Sequence, residues 1–205
     1  MRKVMSFIIV AAGIAAVSLL VVQAKDAEIG NPAPEFTLSD LSGKARALSE
    51  FKGKFVVLEW TNPECPFVKK HYGSGNMQGL QKAWTGKDVV WLTLCSSAEG
   101  KQGFYGAEEW KKLQKDRGAA PTATLLDPDG KAGKAYGAKT TPHMFVVNPM
   151  GMLIYKGAID DKRSADPGDV KDAKNFVDMA LTQSMAGEPV RFSSTQSYGC
   201  SVKYK

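Results

Sequence analysis

The residue in this sequence best placed to do chemistry is Cys65, in the stretch FVVLEWTNPECPFVKKHY from Phe55 to Tyr72. The run Phe55-Val56-Val57-Leu58 has no polar alternation, which suits a strand buried on both faces. Asn62, Pro63 and Glu64 then make a turn, and Pro66 fits the first helical position, where a missing N–H costs nothing. Cys65 is therefore expected at a helix N-terminus. Unpaired N–H groups, the positive end of the helix dipole and Lys69 one turn on would favour the thiolate, with Glu64 opposing them. That is the microenvironment of a reactive cysteine. The competing reading is an inert core thiol, which the polar turn disfavours.

A lone reactive thiol needs a second thiol to complete a redox cycle. The sequence has three cysteines, Cys65, Cys95 and Cys200, so they cannot all pair within one chain. Cys200 lies in an aperiodic tail, Pro189 to Lys205, that can fold across the domain, and it is the best internal partner. The pair reads either as a cycling couple or as a permanent staple around a long loop. Cys95 ends an apolar run and reads as a small core residue or a free thiol near the site. His143 and His71 are the two histidines. Each has surface or packing as its default and an acid, base or orienting role as its alternative. Cys65, Cys200, His143 and Met144 include soft ligands that suit copper. A catalytically silent binding module is the remaining alternative.

Residues 1–24 begin with Arg2 and Lys3, continue through an apolar block from Phe7 to Val22 and end in Val-Gln-Ala. This is the three-part pattern of a secretory signal peptide, with an uncleaved membrane anchor as the alternative. Export to the periplasm or beyond follows, into an oxidising compartment where disulfides persist. No stable membrane contact is expected after signal removal. The chain carries 27 basic and 21 acidic side chains. Without Arg2 and Lys3 the excess falls to about +4 and is scattered, so nucleic acid is not an expected partner. No haem, flavin, nucleotide or phosphate motif is visible, and neither a cofactor nor a resident metal is expected.

The elements that would position Cys65 follow in order. Two short extended pieces between Gly30 and Gly53 predict an N-terminal hairpin. The strand from Phe55 to Trp60 feeds a helix broken at Gly73 and Gly75. Val89 to Cys95 is a second central strand, and Glu108 to Arg117 a helix. Thr122 to Leu126 is a short strand closed by Asp-Pro-Asp-Gly, with a brief helix near Ala135. Met144 to Val147 and Met152 to Tyr155 form a hairpin. An amphipathic helix is expected over Val170 to Met185. This order implies an α/β, thioredoxin-like fold: a central mixed sheet flanked by helices, with an N-terminal hairpin and a strand-helix insertion. Reactive groups in such sheets gather beyond the carboxyl ends of the strands. The domain is placed at 25–187, with the tail at 188–205.

The stretch from Gly30 to about Met185 resembles the redoxin branch of the thioredoxin superfamily, which includes peroxiredoxins and thiol-specific antioxidant proteins of the AhpC/TSA type. It looks most like the exported members. The matching features are Pro32-Ala-Pro-Glu-Phe, the Trp60-to-Pro66 segment, Leu126-Asp127-Pro-Asp-Gly, Thr141-Pro142 before a strand, and Tyr198-Gly-Cys200-Ser-Val-Lys-Tyr. The resemblance implies that Pro142 is cis and faces the reactive cysteine, with Thr141 beside it. It also implies a tail cysteine that resolves, a thiol or disulfide reductant protein as partner, and a peroxide or disulfide as substrate. A monomer or weak oligomer is expected. The sequence departs from the pattern at Val68, where Cys-x-x-Cys oxidoreductases carry their second cysteine, and at Asn62, where peroxiredoxins carry Thr or Ser. Asn62 is left as a substitute hydrogen-bond donor for the thiol. The copper carriers of this superfamily use Cys-x-x-x-Cys, which is also absent.

Overall fold

A computed structural model describes residues 27–205. The segment expected to be a signal peptide, residues 1–24, lies outside the described residues. No described helix is long and apolar enough to cross a membrane.

The chain opens with strands β1 (Thr37–Asp40) and β2 (Ala45–Ala47), then β3 (Val56–Trp60), helix α1 (Pro66–Gly73) and helix α2 (Asn76–Thr85). Strand β4 (Val90–Cys95), α3 (Ala107–Arg117), β5 (Ala123–Leu126) and α4 (Lys131–Tyr136) follow. The last part holds β6 (Thr140–Thr141), β7 (His143–Val147), β8 (Leu153–Gly157), α5 (Phe176–Met185) and β9 (Cys200–Ser201).

Seven strands form one mixed sheet in the order β2-β1-β5-β4-β3-β7-β8. Strands β3, β4 and β5 run parallel, and β1, β7 and β8 join antiparallel. The unalternating runs of β3 and β4 are buried at every position, as expected of strands covered on both faces. On one face Val57, Trp91, Met144 and Tyr155 pack with Val68, Met77, Trp84, Val177 and Leu181 from α1, α2 and α5. On the other, Leu58, Trp60, Leu92, Phe145 and Val147 pack with Tyr136 of α4 and with Phe36 and Leu48.

The N-terminal hairpin and the broken helix after Cys65 occur as expected. Helix α1 ends at Gly73, and Gly75, at φ 76°, is the N-cap of α2. The final helix starts later than its apolar pattern suggests. Pro167–Asp172 is a 3-10 turn, and α5 begins after Asn175, whose side chain accepts the N–H of Asp178. That cap sets the boundary. The tail is ordered against the sheet despite its lack of period. Ser193 and Thr195 exchange backbone hydrogen bonds with Lys156 of β8 at 3.0 Å each. Further on, β9 pairs antiparallel with β6, placing Cys200 opposite Thr141.

Candidate active site

Cys65 is the N-cap of α1, directly beyond the carboxyl end of β3, with Pro66 at the first helical position. The turn that delivers it is tightly held. The N–H groups of Glu64 and Cys65 donate to Asn62 Oδ1 (2.9 Å) and Asn62 O (3.1 Å), and Arg117 donates to Pro63 O at 2.9 Å. Cys65 itself is 1 % exposed, and its Sγ donates to the Thr141 carbonyl at 3.0 Å.

Three strands converge on that sulfur. Strand β6 brings Thr141, the Thr141–Pro142 peptide is cis, and β7 brings Met144 into the apolar cluster that holds Cys65 and Val68. Strand β9 brings Cys200, half-buried, against the cluster that holds Cys65, close enough for each thiol to shift the pKa of the other. Gly199 makes this approach possible: it has φ 123°, and a Cβ there would lie 2.0 Å from the Thr141 carbonyl. Only a residue without a side chain fits both constraints.

The electrostatics divide the two thiols. Burial raises the pKa of Cys65, but hydrogen bonds from the Thr141 side chain, the Cys200 thiol and backbone and the Val68 backbone outweigh it and leave the pKa below that of an ordinary thiol. Cys200 moves the other way, pushed up to about 11 by burial and by the Cys65 thiol. A thiolate forming in this pair therefore resides on Cys65.

The structure brings Cys65, Cys200, Thr141, Pro142 and Pro66 together and sets three other candidates apart. Asn62 does not serve the thiol. Its amide nitrogen donates to Ser97 Oγ (3.3 Å) and the Gln102 carbonyl (3.0 Å), so it organises the loop. Lys69 is exposed and lines a surface groove with Gln78 and Asp116. The groups that lower the Cys65 pKa are Thr141, Cys200 and Val68. His143 faces away: it alternates with Met144 along β7 and stacks on Phe145, ring centroids 4.5 Å apart, on the opposite face of the sheet. Its Nδ1 accepts the Lys139 N–H at 3.2 Å, and burial with Lys139 and Lys156 nearby lowers its pKa to about 4. The copper reading loses its histidine by the same geometry. Among the described residues no three His, Cys, Asp or Glu side chains gather as metal ligands. Cys95 donates to the Gly103 carbonyl at 3.5 Å, and burial raises its pKa.

Sequence reasoning missed Glu59, although a charge inside the apolar run of β3 was its signal. Glu59 is fully buried and accepts from Trp91 Nε1 (2.9 Å), Tyr72 Oη (2.9 Å), Thr93 Oγ1 (3.1 Å) and Gln81 Nε2 (3.2 Å). Burial raises its pKa against those four donors. It ties α1 and α2 to the sheet beneath the site.

A model of the AhpC/TSA family matches residues 29–156. The thiol-disulfide oxidoreductase ResA of Bacillus subtilis is 27% identical over 135 residues, covering 61% of this chain and 64% of that protein. The chain thus aligns with less than two thirds of that relative's length. A crystal structure of a hypothetical protein from Sinorhizobium meliloti superposes with a TM-score of 0.76 at 24% identity, covering 88% of this chain and 97% of the other. The thioredoxin domain of a thiol-disulfide oxidoreductase from Bacteroides vulgatus gives 0.52 at 23% identity, covering 72% and 97%. These two share the thioredoxin-like fold with this chain.

Proposed function

The chain belongs to the AhpC/TSA family, and on that premise we propose that it is a thiol-disulfide oxidoreductase whose working pair is Cys65 and Cys200. The observation that carries this reading is the contact of the Cys200 thiol with Cys65, beside cis Pro142 and in place of a second cysteine at residue 68. In the reductive direction the Cys65 thiolate attacks one sulfur of a substrate disulfide. A Cys65–substrate disulfide forms, and the other half leaves as a thiolate. Cys200, deprotonated, then attacks the Cys65 sulfur, closes the Cys65–Cys200 bond and releases the second substrate thiolate. The substrate gains two electrons and the cysteine pair loses two. A dithiol reductant restores the pair, meeting first the half-buried Cys200 sulfur and expelling Cys65, the lower-pKa and therefore better leaving thiolate.

Peroxide reduction is the second use of the same pair: attack of the Cys65 thiolate on one peroxide oxygen would break the O–O bond, leave a sulfenic acid on Cys65 and release water or an alcohol, and condensation with Cys200 would close the disulfide and expel a further water. Disulfide exchange is favoured over it because residue 62 offers no hydroxyl and its amide is committed to Ser97 and Gln102. The similarity to proteins named thiol-disulfide oxidoreductases supports the same choice.

The test is thiol trapping and mass spectrometry across a glutathione or dithiothreitol series. The expected result is a Cys65–Cys200 bond with a potential of roughly −120 to −270 mV, the range of exchange catalysts. Cys65→Ser should abolish turnover, and Cys200→Ser should accumulate a mixed disulfide on Cys65. A bond resisting reduction beyond about −300 mV would mark a structural staple and end the catalytic reading.

A further inference from the structure

The elements that carry the two thiols are joined a second time, away from the sulfurs, by a buried chain of hydrogen bonds. Helix α1, which starts from Cys65, carries Lys70 and His71 on its last turns, and both are fully buried. The Asn76 side-chain amide lies 2.9 Å from His71 Nδ1. An amide N–H donated there leaves the ring proton on Nε2. Nε2 is 3.2 Å from the hydroxyl of Tyr198, which in turn donates to Asp160 Oδ1. Asp160 lies just beyond β8 and is held by the Lys162 N–H at 3.0 Å, with the Lys70 ammonium 3.9 Å from its other oxygen. Lys70 donates to the Lys162 carbonyl at 2.8 Å. The bonds run in one sense, from Asn76 through His71 and Tyr198 to Asp160. Burial and Lys70 hold the His71 pKa at about 3, so the ring stays neutral and each link keeps its donor and acceptor.

Tyr198 stands two residues before Cys200. Between them Gly199 passes against the Thr141 carbonyl. The tyrosine ring packs edge-on to Phe67 at 5.8 Å, two residues after Cys65. One side chain thus ties the helix of the first thiol to the segment of the second.

We propose that Tyr198 is a positioning residue for the thiol pair, its hydroxyl holding Cys200 at reacting distance from Cys65 by bridging His71 and Asp160. This rests on the Cys65–Cys200 reading above. Without the bridge the tail keeps its other anchors, including the Tyr204 hydroxyl on the Ala138 carbonyl at 2.7 Å, but Cys200 is less often in place. The local concentration of its thiol falls, and so does the tendency to close the disulfide.

Tyr198→Phe removes the hydroxyl and keeps the ring. The expected result is a loss of about tenfold in the equilibrium constant for closing the Cys65–Cys200 bond, which is about 30 mV for a two-electron couple. In the reduced protein, iodoacetamide should alkylate Cys65 several-fold faster, because the tail covers it less of the time. Asn76→Ala, which touches no part of the tail and acts through His71, should shift both readouts the same way by a smaller amount, and it carries the test if Tyr198→Phe does not fold. Tyr204→Phe removes a hydroxyl from the same tail and should leave the potential unchanged. Equal shifts in Tyr198→Phe and Tyr204→Phe, or a Tyr198→Phe protein unchanged in both readouts, overturn the positioning role. A wild-type protein that never closes the Cys65–Cys200 bond overturns the proposed function instead, and the alkylation rates then decide the role of Tyr198 alone.

Discussion

His143 and Met144 are neighbours in sequence and face opposite sides of the sheet, so the residue that follows cis Pro142 points away from the thiol while the next one points toward it. The buried imidazole has a consequence for stability. Unfolded, His143 binds a proton below about pH 6.5; folded, only below about 4. Between those values the unfolded chain holds more protons, so this group withdraws stability as the pH falls. The stability of the wild type minus that of His143→Phe should therefore drop by about 2 kcal/mol from pH 7 to pH 5, measured by urea unfolding at each pH. The placement of Cys65 at a helix start and of Pro142 beside it was legible from Pro66 and from Thr141-Pro142. The orientation of His143 was legible in principle from the two-residue alternation along β7. The occupation of the Asn62 amide was not, because its partners Ser97 and Gln102 lie on a loop whose path no local pattern specifies.

At the scale of elements, the second thiol arrives on a two-residue strand where a Cys-x-x-Cys protein would supply it from the helix. Val68 fills that helical position and is fully buried, so α1 contributes one sulfur and packing, while β9 contributes the other. The pairing of Thr141 with Cys200 depends on the close passage at Gly199. Gly199→Ala would force a Cβ into the Thr141 carbonyl at a φ that L residues rarely adopt, so β9 must move off β6. The expected outcome is a protein that keeps Cys65 reactivity but accumulates the Cys65 mixed disulfide, as is expected of Cys200→Ser, at a stability cost of about 1–3 kcal/mol. Intact-mass trapping and thermal unfolding check the two halves. The order of strands and helices was readable from apolar runs and turn residues. The start of α5 and the docking of the tail were not: the first is set by a single asparagine cap, and the second by hydrogen bonds to Lys156, Thr141 and Asp160 that join distant parts of the chain.

For the whole molecule, a Cys65–Cys200 bond would close a ring that contains α1 to α5 and all strands from β4 to β8. Loop-closure entropy for a ring of this size is about 5 kcal/mol at 25 °C, a model-dependent figure. The oxidised protein should therefore melt well above the reduced one, and Cys65→Ser should show no such difference; equal melting of the two wild-type forms would mean that strain in the closed bond offsets the entropy. The pairing of β6 with β9 also has a meaning in time. The partner of Cys65 is not a neighbour that forms with its own helix. It takes its place only when β9 pairs with β6, and a contact as distant in sequence as that of Cys65 with Cys200 is among the slow ones to form. A chain whose tail has not yet docked therefore presents Cys65 without Cys200, and the ability to close this one bond reports that β9 has reached β6.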